Sequence, residues 1–104
     1  MKELLARVRN FREEREWPQF HTPENLAKCI SIEAGELLQH FQWHSEYDQE
    51  STAEELADVF IYCIFMADAM GVDLSEITLN KLEKNKLKYP IEKAKGTTKK
   101  YTEL

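Results

Sequence analysis

The stretch Val59 to Met70, VFIYCIFMADAM, is apolar on nearly every side of the helix it would form. A helix with one polar face can lie on a surface, but one that is apolar all round must be buried on all sides. Either it stands at the centre of a bundle or a second subunit covers it. The chain has 104 residues, the size of one small domain, so little material is left to surround it, and the stretch reads as a subunit interface. It is too short to cross a membrane: the unbroken apolar run from Val59 to Ala67 is about half the ~20 residues a span requires.

Three glycines and three prolines are too few for the turns of a small all-β protein, and nothing in the pattern reads as a strand. Helical periodicity predicts four main helices. From Lys2 to Glu16, Leu4, Leu5, Val8 and Phe11 form one narrow apolar stripe in charged surroundings. The loop Trp17-Pro18-Gln19-Phe20-His21-Thr22-Pro23 follows. Thr22 as N-cap, with Pro23 at the first helical position, opens a second helix expected to reach Trp43, with Leu26, Ile30, Leu37 and Phe41 on one face. After a polar loop from His44 to Glu50, Ser51 and Glu54 suit a capping box for the third helix, which ends at Met70 with Gly71 at C′. Asp73 and Glu76 suit a second capping box, opening a fourth helix from Leu74 to Lys88 that Pro90 limits. The polar tail, residues 95–104 above all, is expected to order only by docking on the body. The expected fold is all-α: one domain over residues 1–104, an antiparallel bundle of four main helices with helices two and three as a hairpin, completed by oligomerisation.

Fourteen basic against 19 acidic residues give a formal net charge of -5. That balance argues against binding a nucleic acid polymer or an anionic membrane, both of which favour a basic patch. A phosphorylated small ligand stays compatible if a metal ion bridges the like charges. Cys29 and Cys63 each sit in an apolar helical stretch and read as buried thiols of a reducing compartment rather than a disulfide. The N-terminus is charged from its second residue and lacks the apolar core of a signal peptide. The expected location is the cytoplasm.

Charged side chains on a helix normally face water, and two pairs here do not. Glu33 falls inside the apolar stripe of the second helix, at i+7 from Leu26 and i+3 from Ile30, with Glu36 one turn on. Glu55 and Asp58 repeat the spacing on the third helix, where Glu55 leads at i+4 to Val59 and at i+7 to Tyr62. If the helices pair antiparallel, four carboxylates converge in one partly buried patch. They cannot all ionise there without a counter-charge, which a hard divalent cation such as Mg²⁺ would supply. A ferritin-like di-iron centre needs Glu-x-x-His from two helices, whereas His40 follows Glu36 by four residues and the third helix has no histidine.

TPENLAKCISIEAGELLQHFQW, then EELADVFIYCIFMADAMGVDL, then NKLEKNKLKYP resemble the MazG-like all-α nucleoside triphosphate pyrophosphohydrolases, whose signature is E-x-x-E followed by E-x-x-D. The REWPQFHTPENLA segment, the FQW after the first motif and the KYTEL tail are most similar to the dCTP pyrophosphatase branch. The resemblance covers nearly the whole chain. It implies cleavage of the α–β phosphoanhydride of a nucleoside triphosphate such as dCTP, giving monophosphate and pyrophosphate in a pool-cleaning role. It further implies Mg²⁺, with Mn²⁺ as a substitute, held by the catalytic set Glu33, Glu36, Glu55 and Asp58, and Glu36 as the candidate general base. His21 and Trp43 would meet the base, with Trp17 and Phe20 less clearly so. Tyr62, Asn85 and Lys88 would touch the triphosphate or sugar, and Lys28 is a weaker candidate. A homodimer or homotetramer is implied as well. His40, His44 and the cysteines are read as structural or surface residues.

Two rivals remain. One is another specificity of the same superfamily: dUTP, general nucleotides or phosphoribosyl-ATP. The other is a non-catalytic helical module whose apolar third helix binds a partner protein, although such a module has no need of four core-facing carboxylates.

Overall fold

Five α-helices and two 3₁₀ turns make up the regular structure of residues 1–104 in a computed structural model of the chain, and there is no strand. The chain divides into two compact units, residues 1–71 and 72–104. No helix is long and apolar enough to cross a membrane.

The first unit begins with α1, Lys2–Glu14. It stops two residues short of the expected Glu16, because Glu16 adopts a left-handed backbone (φ 54°) that turns the chain into a 3₁₀ turn, Trp17–Phe20. A side chain in that region costs about 1–2 kcal/mol. Helix α2, Pro23–Gln39, opens as expected, with the Thr22 hydroxyl accepting the Asn25 N–H at 3.1 Å. It ends four residues before Trp43. The N–H groups of His40, Phe41 and Gln42 turn back to the carbonyls of Leu37, Leu38 and Gln39, a tightening that closes the last turn and unwinds the helix. Phe41 then packs on Tyr47 at 5.1 Å.

Helix α3, Gln49–Met70, starts earlier than expected, and its cap is Asp48 rather than Ser51. The Asp48 carboxylate accepts both the backbone N–H and the hydroxyl of Ser51, and these bonds hold its pKa below the ordinary value. An anionic cap also complements the positive end of the helix dipole, which a serine cannot do. At the other end Gly71 is left-handed (φ 70°) and caps as expected.

Helices α2 and α3 pack along each other as an antiparallel hairpin: His21 meets Phe65 at the start of α2, while His40 meets Glu55 just beyond its end. Leu26, Ile64 and Phe65 are sealed from solvent, with Val8 and Ala67 also buried. The apolar half of α3 is therefore partly covered inside its own unit by α2 and α1, with Ile64, Phe65 and Ala67 buried and Ala69 and Met70 exposed at its end. Leu56 and Phe60, one turn apart on α3, stay exposed at 59% and 39%.

The second unit holds α4, Leu74–Lys88, capped by the Asp73 carboxylate on the Glu76 N–H. The four-residue α5, Ile91–Ala94, and a 3₁₀ turn, Tyr101–Glu103, follow. The tail is ordered by docking within this unit: Tyr101 packs edge-on against Tyr89 at 6.0 Å, and the Lys88 ammonium sits 4.8 Å above the Tyr101 ring.

Candidate functional site

The antiparallel pairing of α2 and α3 brings the two acidic motifs together. One carboxylate oxygen from each of Glu33, Glu55 and Asp58 lies within 4.8 Å of the others. Glu36 lies close enough to act on both Glu33 and Glu55. Burial, then Glu36 and the neighbouring carboxylates, raises the pKa of Glu33. Glu55 is raised by the same causes, burial first, with His40 pulling weakly the other way. Its nearest basic group is the His40 imidazole, Nε2 to Oε1 3.9 Å.

This is where a cation fits. Glu33 Oε2 and Glu55 Oε2 are buried and have no hydrogen-bond partner, and an unpaired buried oxygen carries a desolvation cost that a ligated cation would remove. The donors are all carboxylate oxygens, the set preferred by hard divalent ions. Glu36, Gln39, His40 and Glu55 also line a polar hollow of about 280 Å³ opening from the cluster.

Beside the acids lies a second hollow of about 310 Å³. Its walls are Trp17 and Phe20 from the 3₁₀ turn and His21 just after it, Asn25, Leu26 and Cys29 of α2, and Tyr62 of α3. Asn25 Nδ2 donates to the Phe20 carbonyl at 3.0 Å, tying the turn to α2. Trp17 and His21 lie 6.3 Å apart, and His21 lies 4.8 Å from the buried Phe65. Burial, then the Arg12 charge, lowers the pKa of His21, which favours the neutral ring. Tyr62 lines the aromatic hollow within electrostatic reach of the acids: its hydroxyl pKa is raised by burial and then by Cys29, Glu33, Asp58 and Glu36. An apolar, aromatic-walled space next to a carboxylate cluster suits a ligand with a flat ring at one end and a polyanion at the other.

The structure thus unites Glu33, Glu36, Glu55, Asp58, His21, Trp17 and Tyr62. It does not bring in Lys28, whose ammonium pairs with Glu24 at 3.5 Å on an exposed face. Because α2 ends at Gln39, Trp43 does not share a helical face with Glu36, and its side chain is 86% exposed. Asn85 and Lys88 lie on α4 in the second unit, Asn85 half-buried and Lys88 against Tyr101. Residues passed over in the sequence also contribute. Asn25 and Cys29 wall the ring hollow, and His40 stands at the rim of the acids. Their positions were readable: Cys29 is one turn before Glu33, and His40 one turn after Glu36. Neither residue type distinguishes a lining role from a packing role until the opposite helix is in place.

The model of the MazG-like family matches residues 28–104. Mouse dCTP pyrophosphatase 1 is 38% identical, over 90% of this chain and 61% of the mouse protein. The human dCTP pyrophosphatase 1 gives the same identity and coverage, so the chain spans about three fifths of the length of these curated relatives. A solved pyrophosphatase structure from Archaeoglobus fulgidus DSM 4304 is similar with a TM-score of 0.76 and 44% identity, covering 86% of this chain and 92% of that one.

Proposed function

The chain belongs to the MazG-like family, and from that premise we propose that it hydrolyses the α–β phosphoanhydride of a dCTP-like nucleoside triphosphate, releasing the monophosphate and pyrophosphate. The observation that carries the reading is the convergence of three carboxylates within 4.8 Å near an aromatic hollow whose lining Tyr62 feels their charge.

Glu33, Glu55 and Asp58, with Glu36 beside them, would hold Mg²⁺, or Mn²⁺ in its place. When bound, that ion supplies positive charge to the phosphate oxygens and to the departing pyrophosphate. Glu36, in reach of two other carboxylates, is our candidate to accept the proton of the attacking water. Trp17, Phe20 and His21 take the base, and a neutral His21 offers it one ring donor and one acceptor. Tyr62 directs its hydroxyl toward the sugar or phosphates. Trp43, Lys28, Asn85 and Lys88 enter as substrate contacts on the resemblance alone.

The match of the family to residues 28–104 supports reading both units as one functional domain. The exposed apolar side chains Ile32, Leu38 and Leu56, at 60%, 69% and 59%, support burial against further copies in a homodimer or homotetramer. The acidic balance supports a cytoplasmic enzyme of the nucleotide pool that binds neither nucleic acid polymers nor membranes.

The test is a panel of nucleoside triphosphates, dUTP and dCTP included, incubated with the protein and Mg²⁺, with products identified. Pyrophosphate and a monophosphate, formed fastest from dCTP and lost in Glu36→Gln, are expected. Release of orthophosphate, or a retained rate in Glu36→Gln, would contradict the mechanism. A uniform rate across the bases would contradict the specificity.

A further inference from the structure

Asp68, near the end of α3, takes no part in the carboxylate cluster, yet two arginines of α1 converge on it. Arg9 binds it through two parallel hydrogen bonds, Nε to Oδ2 at 3.0 Å and Nη2 to Oδ1 at 2.9 Å. Arg12 adds a third, Nη1 to Oδ2 at 3.0 Å. The Arg12 and Asp68 side chains are only 12% and 17% exposed. Burial pushes the Asp68 carboxyl upward, but the bonds and charges of the two arginines outweigh it and hold the carboxyl below its ordinary value. Partly buried ion pairs of this kind contribute little net stability compared with apolar packing. What a planar guanidinium fork does supply is a fixed orientation.

That orientation reaches the ring hollow. The Arg12 guanidinium lies 5.8 Å from the centre of the Phe65 ring. Phe65 in turn contacts His21 at 4.8 Å and Tyr62 at 5.7 Å. The Arg12 charge also acts on His21 directly. Its neighbour on α1, Phe11, takes the Trp17 ring edge-on at 5.5 Å. Three side chains that wall the hollow, Trp17, His21 and Tyr62, therefore rest directly or through Phe65 on the part of α1 that Asp68 holds.

Building on the reading of that hollow as the base pocket, we propose that Asp68 is a positioning residue for the nucleotide's base: by gripping Arg9 and Arg12 it fixes α1, and through α1 and Phe65 the walls that receive the ring. Its effect falls on the base end of the ligand through Trp17 and His21, since neither belongs to the carboxylate cluster that meets the phosphates.

The experiment compares the binding of two probes in Mg²⁺ by calorimetry: an α,β-imido analogue of dCTP, which carries a base, and inorganic tripolyphosphate, which does not. In Asp68→Asn the affinity for the imido analogue is expected to fall roughly two- to thirty-fold, the range for substitutions that act without touching the ligand, while tripolyphosphate affinity holds. Asp68→Glu, which keeps the charge, is expected to restore part of the loss. Arg9→Lys, which keeps the charge but removes the two-bond fork, is expected to reproduce it and serves if Asp68→Asn folds poorly. In a Trp43→Phe background, Asp68→Asn is also expected to red-shift the emission of Trp17 without any ligand. Equal weakening of both probes, or unchanged affinity for the analogue with unchanged Trp17 emission, overturns the positioning role alone. Wild-type protein that binds neither probe overturns the nucleotide reading and this role with it.

Discussion

Replacing Leu26 with alanine tests how the core and the ring hollow share one side chain. Leu26 is fully buried, and it also forms part of the wall of the hollow beside Tyr62. The substitution removes three carbons; at about 0.8 kcal/mol for each, the lost transfer energy is about 2.4 kcal/mol. A sealed void would add to this and carry the cost toward the upper end of the ~2.7–5 kcal/mol range of such truncations. Here the new space adjoins a hollow of about 310 Å³ that water can enter, so the void contribution is small and the expected total is about 2.5–3 kcal/mol. Urea unfolding followed by circular dichroism reads it, with the slope of the transition unchanged. A cost below about 1 kcal/mol would mean that α2 and α3 do not enclose Leu26. A cost above about 4 kcal/mol would mean that the void is closed off from the hollow. The same variant has a wider pocket and is expected to hydrolyse dATP faster relative to dCTP than the wild type does.

The other predictions concern charge and backbone. The folded Asp68 carboxyl is held below its ordinary pKa, so its contribution to stability is present above the unfolded pKa and is lost as pH falls through the folded one; Asp68→Asn should melt lower than wild type near neutrality and converge with it in acid, and parallel melting curves at every pH would refute this. Glu33 is raised instead, so ionising it costs stability above its folded pKa and costs nothing below the unfolded one. Without metal, Glu33→Gln should therefore melt higher than wild type at neutral pH, with the gain vanishing in acid, and should gain less from added Mg²⁺; equal Mg²⁺ shifts in the two proteins would remove Glu33 from the ligand set. Gly71 ends α3 at φ 70°, so Gly71→Ala should cost about 1 kcal/mol in urea unfolding, and no loss would mean the cap relaxes without cost.

Much of this protein is legible along the chain. Helical periodicity, Thr22, Gly71 and Asp73 set most helix boundaries because they act through local hydrogen bonds and allowed backbone angles. The paired spacing of Glu33, Glu36, Glu55 and Asp58 identified the acidic cluster because residues three apart on a helix must share a face. Where two local solutions competed, the sequence misled. Asp48 and Ser51 can both cap α3, and the anionic one does so, using the Ser51 N–H. The α2 pattern runs on to Trp43, but the chain unwinds at His40, where Phe41 turns to meet Tyr47.

The tertiary structure decided what faces what. The sequence established an all-α chain with a carboxylate pair on each of two helices, and by resemblance the class of chemistry they serve. Only the antiparallel register of α2 on α3 brought Glu33, Glu55 and Asp58 within 4.8 Å of one another and set Asn25, Cys29 and Tyr62 around one hollow. Only packing showed that α1 and α2 bury Ile64, Phe65 and Ala67 of the apolar α3 within its own unit, and that Asp68 is gripped from α1. The reason is physical: periodicity fixes the face on which a side chain lies, whereas the choice of neighbour across that face depends on contacts between residues far apart in the chain, which no local pattern encodes.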